Sequence, residues 1–350
     1  MKILKNVGLS IVSILLFLLI WNMASSALYN RAVETTIAKI EKSQSKEAAK
    51  ETRKRIESGD PSSQPNSLPS PLLVWNTAGL LIDDAQQVMQ KKRDFYKKME
   101  KTNAKLKAQN KEPITYTGRP SFLDQILTSL ENIFWGVILA ISIAIPFGIL
   151  MGLSKGFKTS VNWFVQVFKP ISPVVWFLLV QMIVNTMMTD PNGDNAFVIT
   201  FISVGLCAMW ATLVNTSVGV SSVDESYLNV SKVLRLGIGK KIFKVVLPAS
   251  IPLIFTGLRI TVSVAWMVLI AVEWLSQSPG LGGFVREEFQ NGSSSSNAKI
   301  MVAMFVIGII GFVLDKAMAG IQGLVSFENQ SQAPSPLTVV RNLFVSKKAA

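Results

Sequence analysis

Beyond Pro120 the chain is almost continuously apolar, interrupted only by short polar loops, and few folds accept such a pattern. An α-helix needs roughly 20 apolar residues to cross about 30 Å of hydrocarbon. Five stretches of that kind are predicted at about 131–153, 163–188, 196–219, 252–276 and 299–325. A sixth lies ahead of them, from about Val7 to Tyr29, around the run IVSILLFLLIW. Within lipid, backbone N–H and C=O groups find partners only in helices or closed barrels, and segments this long fit helices. The expected fold class is therefore an all-α integral membrane protein with about six transmembrane helices.

Charge then sets the orientation. Lys2 and Lys5 precede the first span. The 154–162 loop carries Lys155 and Lys158, and the 220–251 loop carries Lys232, Arg235, Lys240, Lys241 and Lys244. The 326–350 tail adds Arg341, Lys347 and Lys348. With the N-terminus inside, all three segments fall on the cytoplasmic side, as the positive-inside rule requires. On the other side, one short loop carries Asp190 and Asp194 with no basic residue, and in 277–298 Glu287 and Glu288 outnumber Arg286. Ala24-Ser25-Ser26-Ala27 also resembles a signal-peptide cleavage site, and the uncleaved anchor is the preferred reading of the two.

Between the first span and Pro120 the composition changes. ETTIAKIEKSQSKEAAKETRKRIESGD is rich in helix formers and places Glu51 and Arg55 at helical spacing. Asp60 to Pro71 holds four prolines and reads as an extended linker. A second polar helix is predicted over about Leu80 to Gln109, with Leu81, Val88, Phe95, Met99 and Leu106 forming one apolar seam. Two solvated helices packed as a hairpin, or a docking surface for a partner protein, are both compatible with this pattern. The resulting domain layout is an anchor helix at 1–29, an extracytoplasmic helical insertion and linker at 30–120, a membrane core at 121–325, and a cytoplasmic tail at 326–350.

The chain's net charge of +13 would suit a nucleic-acid binder if it were concentrated on one surface. It is not: 30–120 holds 18 Lys and Arg against 11 Asp and Glu, and most of the remaining excess marks the inner face. A long external segment translocates largely regardless of its charge. The chain has no histidine and one cysteine, Cys207, which removes Ser-His-Asp, Cys-His and His-zinc chemistry along with any intrachain disulfide. LRLGIGKK (Leu234 to Lys241) fails as a phosphate-binding loop, since Leu234 stands where the first glycine is needed and Lys241 where Ser or Thr is needed. No catalytic, cofactor-binding or metal-ligating set remains, and the chain is expected not to be an enzyme.

The 220–251 loop, SSVDESYLNVSKVLRLGIGKKIFKVVLPASIP, is basic and amphipathic. A helix over about 224–236 would carry charges on one face and Val223, Tyr227, Val230, Val233 and Leu234 on another. Gly237 and Gly239 are expected to relax the backbone where that helix ends, and Pro248 and Pro252 to break the chain before it re-enters the membrane. Such a helix can sit in a groove of a separate protein or rest on anionic lipid.

At this loop the sequence resembles the permease subunits of ABC importers. Their motif begins Glu-Ala-Ala, continues to a glycine and ends in Leu-Pro. Asn229-Val230-Ser231 and Arg235 occupy those positions here, with Val245 two residues before Leu247-Pro248. The spacing and the Leu-Pro ending are kept, while the Glu and the Gly are replaced. Ala249 to Leu275 resembles the branch that moves nitrate, bicarbonate, cyanate, taurine and alkanesulfonates, through Pro252, Thr256-Gly257-Leu258-Arg259, Trp266 and Glu273. SPGLGGF (278–284), KPISPVVW (169–176), IGIIGFVLDK (307–316) and LPSP (68–71) add to the likeness, which is continuous over about 120–325. The long 30–120 segment and Asn132, where the family often has Arg, are departures.

The resemblance implies a type I ABC importer permease architecture with an extra-membrane helical insertion. It implies as partners ABC ATPase subunits that hold ATP and Mg, an extracytoplasmic substrate-binding protein and a second permease copy as a homodimer, all in the lipid bilayer of the bacterial inner membrane. The coupling loop would use Asp224, Glu225, Asn229, Ser231, Arg235, Gly237, Gly239, Lys240, Leu247 and Pro248. The substrate would be a small anion, nitrate or bicarbonate ahead of a sulfonate.

Ionisable side chains inside spans are costly and usually paired or functional. Arg259 and Asp315 lie at similar depths in antiparallel helices, either as a structural ion pair or with Arg259 as a positive step for an anion. Glu273, near the outer end of its helix, is expected to serve packing or gating. Ser172, Trp176, Gln181 and Asn185, with Thr212, Asn215 and Thr216, are candidates for the pathway wall or for polar contacts between helices. Cys207 is read as a small buried apolar residue. The rival function is a membrane-anchored sensor using 30–120. A secondary carrier is disfavoured, because the hydropathy shows no inverted repeat.

Overall fold

The computed structural model describes residues 2–60, 63–188 and 195–325. Asp190 and Asp194, and the tail residues Arg341, Lys347 and Lys348, lie outside that range. Among the described residues the regular structure is entirely helical. Among the described residues, five helices are long and apolar enough to cross a membrane, and a bent pair raises the number to six if it counts as one span. The chain divides into two compact units, residues 1–126 with 283–307, and residues 127–282 with the chain from 308 on.

In the first unit, α1 (Lys2–Ser43) is one 42-residue helix. It does not stop at Tyr29, because residues 30–43 contain neither Gly nor Pro and continue with good helix formers. At 1.5 Å per residue it is about 63 Å long, twice the hydrocarbon thickness. α2 (Lys46–Glu57) folds back along the distal part of α1. Ser45 caps it by accepting the Ala48 N–H at 3.1 Å, and Arg53 pairs with Glu34 at 2.5 Å. The helical hairpin of the insertion is thus made by α1 and α2, and not by the two polar helices on either side of the proline linker that the sequence suggests.

α3 (Pro71–Ala108) begins well before Leu80. Ser70 accepts the Leu73 N–H at 3.3 Å, and Pro71 occupies the first turn, where its missing N–H costs nothing. Val74, Thr77, Leu81, Ala85 and Val88 form its buried stripe, and Phe95, Met99 and Leu106 are half-buried further along. Residues 110–120 run back along α3. Asn103 exchanges hydrogen bonds with the Ile114 backbone at 2.8 and 3.1 Å, Tyr116 meets Phe95 edge-on, and Arg119 pairs with Asp84.

The second unit is organised around α7 (Asn195–Ser221) and α10 (Leu247–Ser276), which pack along most of their lengths. Small and hydroxyl residues allow the close approach. A side chain at Gly257 would meet the Thr212 Cα at 3.0 Å, and Thr212 and Thr261 share a buried 2.7 Å hydrogen bond. α4 (Phe122–Leu153) reaches α7 in the same way, with Gly148 against Thr216 and Gly152 against Val220.

Two expectations are corrected here. The stretch 163–188 is not one straight span: α5 (Lys155–Phe168) and α6 (Pro173–Met187) meet at a 101° bend. Both Pro170 and Pro173 remove a backbone donor, and Pro173 holds Ser172 out of the helical conformation at ψ 140°, while Lys169 before Pro170 still has helical angles. Pro248 and Pro252, in contrast, do not break the chain. α8 (Glu225–Val233) is followed by α9 (Ile238–Lys241), a π-helical turn at Ile242–Val246, and then α10 without interruption. A wider π turn just before Pro248 makes room for a ring that would clash in a regular α-helix.

Candidate functional site: the coupling segment and the polar groups of the membrane helices

α8 is defined at both ends by local chemistry. Asp224 caps its start, with Oδ1 accepting the Ser226 hydroxyl at 2.6 Å and the Ser226 N–H at 2.7 Å. Those two bonds hold the Asp224 carboxyl below its ordinary range. Glu225 in the first turn complements the helix dipole. Asn229 accepts from Lys232 at 3.3 Å, and Ser231 is buried with its hydroxyl on the Leu228 carbonyl at 2.6 Å.

The helix ends at Arg235 rather than at either glycine. Arg235 adopts a left-handed φ of 48°, its N–H reaches the Lys232 carbonyl at 2.9 Å, and the Leu236 N–H reaches the Ser231 carbonyl at 3.0 Å. This is a Schellman arrangement, which favours glycine at the left-handed position. Gly237 has φ −61° and precedes α9, so the expected role of Gly237 and Gly239 in ending the helix passes to Arg235. Tyr227, Val230, Val233, Leu234, Ile238 and Phe243 are all exposed, with Val233 at 82%. Lys240 and Lys241 end α9, and Leu247 and Pro248 open α10.

Within the membrane helices, Arg259 and Asp315 meet through a two-pronged ion pair. Nε donates to Oδ1 at 2.7 Å and Nη2 to Oδ2 at 2.9 Å. The pair borders a cleft of about 440 Å³ whose wall includes Thr256, Ser263 and Gln322. Gln322 donates to the Thr256 hydroxyl at 2.9 Å. Both charged side chains are about one-third exposed, at 39% and 31%, so the cleft has access to them.

Glu273 is fully buried. Its carboxyl accepts the Ser129 hydroxyl at 2.8 and 2.9 Å, the Asn132 amide at 3.0 Å and the Gly282 N–H at 3.0 Å. Ser129 in turn accepts the Leu281 N–H at 2.8 Å, so α4 and α10 together cap the start of α11 (Leu281–Asn291). Gly280 has φ 149°, and a side chain at Gly280 or Gly282 would collide with Glu273. Ser129 does not stand out in the sequence. Its only signal there is a hydroxyl three residues before Asn132 in an apolar helix, together with the glycines of SPGLGG.

The remaining candidates separate. Ser172 caps α6, accepting the Val174 N–H at 3.4 Å. Trp176 is buried against Phe168 and Trp210, with ring centroids at 5.9 and 6.4 Å. The indole N–H groups of Trp176 and Trp210 have no acceptor among the described residues, nor does the Thr216 hydroxyl have a partner there. Asn215 bonds back to the Ala211 carbonyl at 2.8 Å. Gln181 and Asn185 lie on α6, and Cys207 is a partly buried free thiol. Among the described residues no cluster of Cys, Asp and Glu fit to hold a metal ion occurs.

An all-helical membrane component with a basic amphipathic segment between two long helices is the class these features define. Residues 144–327, more than half of the chain, match the family described as "Binding-protein-dependent transport system inner membrane component". The chain belongs to that family, the permease subunits of ABC importers. It is 34% identical over 202 residues to the nitrate import permease protein NrtB of Synechococcus elongatus, covering 58% of this chain and 69% of that one. It is 33% identical over 203 residues to the bicarbonate transport system permease protein CmpB of Synechocystis, covering 58% and 68%. Among solved structures, the inward-facing MetNI methionine ABC transporter shares the fold with a TM-score of 0.51 at 13% identity, covering 59% of this chain and 96% of that one.

Proposed function

We propose that this permease subunit carries a small oxyanion, nitrate or bicarbonate ahead of a sulfonate, across the bacterial inner membrane. The observation that carries the reading is the identity of about one-third, over most of their length, with a nitrate permease and a bicarbonate permease. An extracytoplasmic binding protein delivers the anion, and two copies of this chain form the passage. ATP and Mg are held by separate ATPase subunits, this chain holds no cofactor, and both its termini are cytoplasmic.

The coupling segment comprises α8, α9 and the π turn that joins them to α10. The exposed side chains of Tyr227, Val230 and Val233 would enter a groove of the ATPase, and the continuous run from Ile238 to Ser276 would carry the closing motion into the membrane. Asp224, Glu225, Asn229, Ser231 and Arg235 shape the α8 unit. Gly237, Gly239, Lys240, Leu247 and Pro248 connect it to α10.

In the membrane, the Asp315 carboxylate fills the guanidinium fork of Arg259 as a planar oxyanion would. Arg259 would offer that fork to the substrate in the cleft, with the hydroxyls of Thr256 and Ser263 nearby. The unpaired indole N–H of Trp176 would offer a further donor along the way. Ser172 and Glu273 act on the scaffold of the passage, through the α6 cap and the α11 cap.

The test is uptake of labelled nitrate, bicarbonate and taurine by a strain deleted for this chain, with and without its restoration. Restored uptake of nitrate or bicarbonate is expected. Restoration of taurine uptake alone, or of none of the three, overturns the substrate assignment.

A further inference from the structure

The linker between α2 and α3 does not stay at the height where α1 leaves its apolar run. Tyr29 donates to the Gln64 side chain at 2.6 Å, Ser25 to the Leu68 carbonyl at 2.8 Å, and Trp21 to the Pro69 carbonyl at 3.0 Å. The linker therefore descends α1 two turns, from residue 29 to residue 21, or about 12 Å. The first turns of α12 (Ser294–Val325), which belong to the same unit as far as Ile307, give an independent measure. Asn66 bonds the Gly292 carbonyl and Asn297 bonds the Ser67 carbonyl at 3.4 Å, just before the apolar run of α12 begins. Trp21, at the level of the linker's tip, instead meets the Phe305 ring at 5.5 Å, eight residues past Asn297.

Irregular backbone at membrane depth is tolerated only where protein satisfies its polar groups. The carbonyls of Ser67, Leu68 and Pro69 each accept a side-chain donor, from Asn297, Ser25 and Trp21. Pro65, Pro69 and Pro71 bring no N–H that would need a partner, and Pro65 and Pro69 are buried. The Ser70 hydroxyl accepts the Leu73 N–H in the first turn of α3.

The outward face of α3 obeys the same logic. Leu72, Trp75, Leu80 and Ile82 are 70%, 78%, 68% and 55% exposed, opposite the buried stripe of Val74, Thr77 and Leu81. Asn76 is the polar residue on that stretch. From Asp83 to Gln90 the exposed positions are Asp83, Gln86, Gln87, Met89 and Gln90, four of them polar. The change comes twelve residues after Pro71, a rise of about 18 Å, a little more than half the hydrocarbon thickness.

We propose that residues 64–82 form a re-entrant hook in the extracytoplasmic leaflet. The proline linker dips along α1, and the first three turns of α3 climb back out with Leu72, Trp75 and Leu80 against lipid acyl chains. The insertion is then not wholly outside the membrane, and its polar part, from Asp83 on, is mounted on a stem that the bilayer holds. An exposed row of this size in water would be an unusually large apolar patch. Only the choice of leaflet rests on the permease orientation, with both termini cytoplasmic.

The test uses spin labels on single cysteines in the assembled complex in lipid nanodiscs, with Cys207→Ser as background. Positions 72, 75 and 80 are compared with 87 and 98, all with exposed side chains whose replacement leaves packing intact. Collisions with oxygen should exceed those with a water-soluble nickel chelate at 72, 75 and 80, and the order should reverse at 87 and 98. Chelate access at 75 equal to that at 98 overturns the hook in favour of a solvated insertion. Exclusion of both reagents at 72, 75 and 80 also overturns it, in favour of a covering protein. An impermeant maleimide on Lys98→Cys in cells reads the side of the membrane separately, so a wrong orientation is distinguishable from a wrong depth.

Discussion

Gly282 donates its backbone N–H to the carboxyl of Glu273 at 3.0 Å, and no larger residue fits there, because an added Cβ would lie 2.7 Å from the Glu273 Cβ. The contact fixes where α11 starts relative to α10. Replacing Glu273 by Ala would leave the Ser129 hydroxyl, the Asn132 amide and the Gly282 N–H without their buried acceptor, at about 1–3 kcal/mol for each unsatisfied group. Glu273→Ala and Gly282→Ala should both lower the yield of monodisperse complex and its melting temperature in detergent. Glu273→Gln keeps one acceptor oxygen and should fall between them and the parent. Equal melting temperatures for all four proteins would remove the capping role.

The all-helical membrane class, the basic amphipathic segment between α7 and α10 and the spacing up to Leu247-Pro248 are legible in the sequence, because hydropathy, charge and motif spacing are local properties. Part of what is not legible depends on which side chains the fold brings together. Glu273 stands out as an intramembrane carboxyl, but Ser129 and Gly282, which surround it, lie 144 and 9 residues away. The 101° bend at Pro170 is hidden because a hydropathy window averages across a kink as easily as along a straight helix. Apolar character ends at Tyr29, yet helix propensity does not, and the backbone of α1 obeys propensity.

Arg235 holds a left-handed conformation at φ 48° where a side chain is disfavoured. Arg235→Gly should therefore relieve strain and stabilise the end of α8, by roughly 0.5–1 kcal/mol. Slower amide exchange at Leu236, whose N–H donates to the Ser231 carbonyl, is the expected result, with Arg235→Ala showing no such gain. If Arg235→Gly speeds exchange instead, the side chain is supporting the loop in some other way.

α8 presents Val233 at 82% exposure with apolar neighbours, which suits insertion into a partner groove better than a solvated surface. Deleting 224–247 should abolish substrate-stimulated ATPase activity in the assembled complex. Val233→Asp, which preserves the fold of an exposed position, should reduce that stimulation while leaving the amount of inserted permease unchanged. Full stimulation in both variants would refute the coupling assignment and leave lipid contact as the role of the helix.

Arg259 and Asp315 allow a structural role to be separated from a transport role, because swapping them preserves the pair but moves the positive charge to the other helix. Either single reversal leaves two like charges facing each other. The cost should be less than the roughly 3–5 kcal/mol of breaking a fully buried pair, since both side chains are about one-third exposed. Arg259→Asp and Asp315→Arg alone should each reduce assembled complex. The double variant should restore assembly and binding-protein-stimulated ATPase activity, because the ion pair reforms. Anion uptake should nevertheless stay at the background level, since the guanidinium no longer lines the α10 side of the cleft beside Thr256 and Ser263. Recovery of uptake together with assembly would reduce the pair to a helix clamp and leave the anion's path to be sought around the unpaired donors of Trp176 and Trp210.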